Sequence, residues 1–282
     1  MNVIKSNGQG FLTLFHSIEF ITKTIIKKEN TMFQSKSLYF IFIFLAMFSC
    51  KKKETQLTKI TAKNIAVDTK IQASSTIDSV INPYKEKLEA QMQQVLSYTP
   101  KDLVKTDGEM QSSLGNLLAD LCFDIANPIF NKQTNEFIDF AMFNHGGMRA
   151  RISKGDIRVN DAFKLMPFEN ELVVAEITGE KMMELVKYFK ESKRAHPLSN
   201  NIELSINQAD FNLKINGKKF DKNKTYKVLT SDYLQNGGSN MVFFKNPKKL
   251  SIIDCKVRDA IISYFKKVDT IKTTIDNRIT IK

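Results

Sequence analysis

Apolar residues recur along this chain at two spacings, every third or fourth position in some segments and nearly without interruption in others, and the alternation predicts a mixed α and β body. Ile77, Val80, Ile81, Tyr84, Leu88, Met92 and Val95 repeat at helical intervals, with Ser75 and Asp78 at capping-box spacing. Pro83 either kinks this helix or marks its first turn. Leu114, Leu117, Leu118, Leu121 and Ile125 share one face of a second helix over residues 113–126, capped by Ser112 or Ser113. Two more helices are read at 180–190, through Met182, Leu185, Val186 and Phe189, and at 257–268. Apolar runs at 137–143 and 172–177 predict buried strands, 202–206 and 211–215 a hairpin pair, 226–229 a strand and 274–281 a closing strand. Within a polar, Lys- and Thr-rich stretch, Ile60, Ile65, Val67 and Ile71 predict one further strand.

Composition narrows the class without naming a function. With 282 residues, 42% hydrophobic and 26% charged, the chain can fold as one large domain or two small ones, and it is neither a repeat protein nor a disordered one. Its formal charge is +12, but the lysines are spread along the chain rather than gathered into a stripe, so no nucleic-acid partner is expected. Residues 1–49 hold five lysines and two glutamates, so the remainder still carries +9.

The amino-terminal pattern reads as an address. After Lys36 comes an eleven-residue apolar run, 38–48, too short to span a bilayer and suited to a signal-peptide core. Cys50 ends it, followed by Lys51, Lys52 and Lys53, and resembles the lipid-attachment cysteine of bacterial lipoproteins, with Met47 standing where leucine is usual. A simple signal peptide or an uncleaved anchor fits the same run. The organisation expected is an upstream extension at 1–31 with translation starting at Met32, a lipoprotein signal peptide at 32–49, lipidated Cys50 and a tether over 50–75, and a folded domain at 76–282. Export to the bacterial cell envelope, with attachment to a membrane, the outer one, through lipid alone, follows from that organisation. Cys122 and Cys255 allow one disulfide, although the apolar helical face around Cys122 suits a buried free thiol.

Chemistry is sparse. Beyond the leader only His145 and His196 remain, too few for a two-metal phosphoesterase centre, and there is no nucleophile elbow or Walker loop, so no catalytic and no metal-ligating residue is assigned. Three segments suggest binding instead. Asn144-His145-Gly146-Gly147-Met148-Arg149 joins two glycines, which permit turns that side chains forbid, to one of only six arginines, with Arg151 beside it. It reads either as an anion contact or as a glycine-rich turn with a solvated arginine. Phe168 follows Pro167 just ahead of a strand, as a ligand clamp or a core plug, and Tyr233 precedes Gly237-Gly238, as a stacking ring or a packed strand residue. Two aromatics and an arginine would suit a flat heterocycle joined to an anion.

Taken in order, Leu114-Gly-Asn-Leu-Leu-Ala-Asp120, Asn144 to Arg149, Lys154-Gly-Asp-Ile157, Met166-Pro-Phe-Glu-Asn170, Thr178-Gly-Glu-Lys-Met182 and Ser231-Asp-Tyr-Leu-Gln-Asn-Gly-Gly238 resemble the C-terminal domain of the 5′-nucleotidase family over residues 100–282. The resemblance implies a single mixed-sheet α/β domain with packed helices that holds the nucleoside part of a nucleotide. It implies that Phe168 and Tyr233 stack on the two faces of the base, that Asn144 bonds the ligand across the Gly146-Gly147 turn, and that Arg149 holds the ribose-phosphate side. Ser239 occupies the position of a ribose-binding aspartate, and Lys105, Gly108 and Glu109 stand where the family has an arginine. The family's metallophosphatase domain has no counterpart within residues 51–100. The expectation is therefore a recognition unit, inactive alone and binding no cofactor itself, beside a separately encoded metallophosphatase that carries the divalent metals.

Overall fold

The computed structural model describes residues 57, 59–68, 71–207 and 210–281. The chain divides into two units, Met1–Ile71 and Gln72–Lys282. In the first, the described residues are exposed and form no helix or strand, so the strand expected from Ile60 to Ile71 is not formed over its described residues; an exposed apolar residue gains little from extended pairing. The upstream extension, the apolar run and Cys50 lie outside the described residues.

The second unit begins with helix α1 (Ser75–Met92), which carries Pro83 inside it and buries none of its residues. Its expected last apolar position, Val95, instead opens strand β1 (Val95–Thr99), which pairs antiparallel with β3 (Gly155–Arg158). Helix α2 (Ser113–Thr134) runs past the expected stop, through Pro128, because Phe130 is buried one turn further on; it ends at Asn135, whose φ of 57° is left-handed. Ser112 caps it, its hydroxyl accepting from the Gly115 N–H at 3.0 Å.

A four-stranded sheet organises the rest, in the order β2 (Phe140–Ala141), β8 (Thr225–Ser231), β4 (Glu171–Thr178), β9 (Lys249–Lys256). β2 runs parallel to β8, while β4 is antiparallel to both of its neighbours. Of the apolar run at 137–143 only two residues are strand, and Phe137 is exposed. Met142 still donates its N–H to the Leu229 carbonyl of β8 at 2.9 Å and also bridges Leu198. A second sheet, β10-β5-β6-β7, holds the expected hairpin of β5 (Ile202–Ile206) and β6 (Phe211–Ile215), the short β7 (Lys218–Lys219), and β10 (Ile279–Ile281), parallel to β5. Helices α3 (Val159–Leu165), α4 (Gly179–Ser192), α5 (Asp232–Gln235) and α6 (Val257–Lys267) complete the unit, with α2 packed against α6 and against β2 and β9.

Two motifs of the resemblance are structural. In Leu114–Asp120, the buried Asn116 amide donates to Gln111 Oε1 at 2.8 Å and to the Thr274 carbonyl at 2.9 Å. Asp120 takes two bonds of 3.0 Å from Arg278, fastening the carboxy-terminal strand to α2. In Thr178–Met182, the Thr178 hydroxyl caps α4, and a Cβ on Gly179 would lie 2.1 Å from the Lys222 carbonyl oxygen. Cys122 and Cys255 are both free thiols, the first fully buried.

Candidate functional site

Because β4 is antiparallel to β8 and β9 and β2 is parallel to β8, four chain segments meet at one end of the central sheet. The chain leaves β2 there at Phe143-Asn144, leaves β8 at Ser231, leaves β9 at Val257, and enters β4 from Asn170. These segments enclose a cavity of about 660 Å³ lined by Asn144, Gly146, Gly147, Arg149, Phe168, Tyr233 and Ser239, together with Phe143, Met166, Glu169, Asn170, Ser231 and Val257. All seven residues assigned from the sequence are thus brought together, and the volume falls within the ordinary range for small-molecule sites.

Each is held by a definable cause. Neither glycine of the Asn144–Arg149 turn adopts positive φ, which corrects the conformational role read for them. Gly147 leaves room for Asn144: a Cβ there would lie 2.7 Å from Asn144 Oδ1 and push that side chain aside, whereas at Gly146 it would keep an ordinary 3.5 Å from Asn144 Nδ2. Asn144 Nδ2 donates to Ser239 Oγ at 2.9 Å, so two expected ligand contacts are also partners of one another across the cavity. The turn is braced from behind. His196 Nδ1 accepts from the His145 N–H at 3.2 Å, and Lys105 donates to the Met148 carbonyl at 2.9 Å. Arg149 stays exposed, with one Nη1 contact of 3.3 Å to the Gly146 carbonyl, while Arg151 turns toward Asp102 and does not line the cavity.

The two rings are partly open to solvent, Phe168 at 43% and Tyr233 at 49%. That exposure argues against a core plug and against a packed strand residue. Tyr233 lies flat along the second glycine pair: a Cβ on Gly238 would come within 2.5 Å of two of its ring carbons, and its hydroxyl accepts from the Ser239 N–H at 3.3 Å. Ser239 itself sits at φ 55°, with its carbonyl accepting from Tyr188 at 2.9 Å. Behind Phe168, the buried Arg258 stacks 4.2 Å over the Phe163 ring and donates to the carbonyls of Met166 and Phe168 and to Glu169. Hydrogen bonds from Lys256, then from Arg258, hold the Glu169 carboxyl at a pKa of about 2, so it stays ionised and paired. Glu169, Lys256, Arg258 and His196 escaped the sequence reading because their bonds join segments far apart in the chain. Among the described residues no group of three or more His, Cys, Asp or Glu is placed to hold a metal ion.

These observations define an α/β domain with a cavity of small-molecule size at the strand ends of a mixed sheet, lined by two open aromatic faces, polar amides and one arginine. Residues 95–246 match the family described as 5′-nucleotidase, C-terminal domain, and the chain belongs to that family. Protein UshA of Escherichia coli K12 is 25% identical over 231 residues, which cover 77% of this chain and 40% of that protein. A 5′-nucleotidase-related protein of Glossina morsitans morsitans is 23% identical over 244 residues, covering 77% and 43%. The crystal structure of a 5′-nucleotidase precursor from Thermus thermophilus superposes with a TM-score of 0.58 at 20% identity, covering 73% of this chain and 43% of that one, a likeness of fold. The chain thus spans under half the length of these relatives.

Proposed function

We propose that this domain recognises a nucleotide, or its nucleoside portion, for nucleotide breakdown. The observation that carries the reading is that Asn144, Arg149, Phe168, Tyr233 and Ser239, drawn from three separate segments, line one cavity. The base stacks between the faces of Phe168 and Tyr233, Arg149 takes the phosphate, and Asn144 and Ser239 meet the sugar or base edge. No hydrolytic step is assigned to this chain. The divalent metals and the activated water belong to a separately encoded metallophosphatase, and this chain contributes orientation of the substrate. A lipid on Cys50 would hold the pair in the cell envelope, at the outer membrane. Copurification from native membranes tests the partnership: a metallophosphatase retained on the tagged chain is the expected result, and no phosphoesterase at native expression contradicts it.

A second reading, a surface-tethered lipoprotein that binds nucleosides or proteins without catalysis, has one observation in its favour. Ile77, Val80, Ile81, Tyr84 and Leu88 of α1 are all exposed, leaving apolar area uncovered on the described unit.

A further inference from the structure

Two rings grip a flat base more tightly when the gap between them is set before the ligand arrives, since each freely rotating segment would have to be ordered at the expense of affinity. Phe168 and Tyr233 sit on different segments, and each is braced separately, Phe168 through Arg258 and Tyr233 through Gly238 and Ser239. The β4–β8 ladder joins the two segments as far as Leu172 and Ser231, and beyond its end the Asp232 carboxylate carries the link on. Its Oδ1 accepts from Asn170 Nδ2 at 2.9 Å and from the Glu171 N–H at 3.2 Å, both on the segment that carries Phe168, and from the Tyr233 N–H at 2.7 Å. A charged oxygen is suited to three donors at once.

Helix capping does not account for this residue. The cap of α5 is Ser231, whose hydroxyl accepts from the Leu234 N–H at 3.3 Å, so the Asp232 side chain is free to face the neighbouring segment. The backbone on the far side is already fixed, because the Asn170 carbonyl accepts from the Val257 N–H at 3.0 Å. We infer that Asp232 is a positioning residue that sets the Phe168 to Tyr233 gap, tying both aromatic faces of the cavity to one oxygen atom. It rests on the nucleotide reading for its purpose but not for its geometry.

The chain contains no tryptophan, so Phe168→Trp gives a single reporter at one wall of the gap. In that background of the full chain, Asp232→Ala is expected to raise acrylamide quenching of the introduced indole several-fold, and Asp232→Asn, which keeps an acceptor oxygen, is expected to restore most of the protection. Asn170→Ala, which removes one of the two bonds from the Phe168 segment while leaving α5 capped and the Glu171 N–H in place, is expected to raise quenching in the same direction by a smaller factor and serves if Asp232→Ala fails to fold. In the chain with Phe168 intact, AMP affinity is expected to fall about tenfold or more in Asp232→Ala and to recover in Asp232→Asn. Unchanged quenching in folded Asp232→Ala or Asn170→Ala, or no rescue by asparagine, overturns the inference. Quenching that follows Asp232 with no AMP bound by any variant would uphold the positioning role and contradict the nucleotide reading instead.

Discussion

At the residue scale, His196 makes the Asn144–Arg149 turn sensitive to acid. Its Nδ1 accepts from the His145 N–H only while the imidazole is neutral, and burial, then the charges of His145 and Arg194, hold its pKa down to about 4 from an ordinary 6.5. The folded protein therefore binds fewer protons than the unfolded chain between these values. The neutral ring's contribution is complete above about pH 6.5 and is lost as pH falls through 4, a difference of about 3 kcal/mol. A melting temperature that declines between pH 6.5 and 4 is expected, with a flatter profile in His196→Asn, whose amide oxygen accepts without titrating. Parallel profiles would contradict this. Asn144, Phe168 and Tyr233 were legible in the sequence because each stands in a short segment with its own proline or glycine punctuation. The role of Gly147 was misread, since a requirement for room beside Asn144 leaves no mark different from a requirement for positive φ. Arg258 was invisible, because its partners lie at Met166, Phe168 and Glu169.

At the element scale, helices α4 and α6 and the 202–215 hairpin follow the sequence pattern closely, because one face of each is buried and its period is unambiguous. The strands β1, β3 and β9 did not stand out. β1 and β3 are short and mixed in burial, and β9 alternates poorly, with Leu250 and Ile252 exposed and a register shift against β4. Turn contacts are tighter than composition suggests. Gly179 sits under the 222–224 turn, donating its N–H to the Lys224 carbonyl at 2.9 Å. Gly179→Ala would drive a methyl into the Lys222 carbonyl and is expected to cost roughly 1–3 kcal/mol in urea unfolding. A midpoint equal to that of the parent would show that the turn can yield.

At the scale of the whole molecule, the site depends on the central sheet and not on α1. Gln93 and Gln94 are hydrogen-bonded to the body, their carbonyls accepting from Arg158 and from the Val159 N–H, while α1 touches α3 but fully buries none of its residues. A chain beginning at Gln93 is expected to melt within about 2–4 °C of the parent, as suits a change of about 1 kcal/mol. Loss of cooperative unfolding would mean that α1 is part of the core.

The central claim, a nucleotide cavity walled by Phe168 and Tyr233, is tested most directly by calorimetric titration of AMP and of adenosine into the purified protein, with phosphate release followed in added manganese. The account predicts binding of both ligands, its loss in folded Phe168→Ala and Tyr233→Ala, and no phosphate released by this chain alone. Absence of binding by the parent, or equal binding by the two variants, would contradict it.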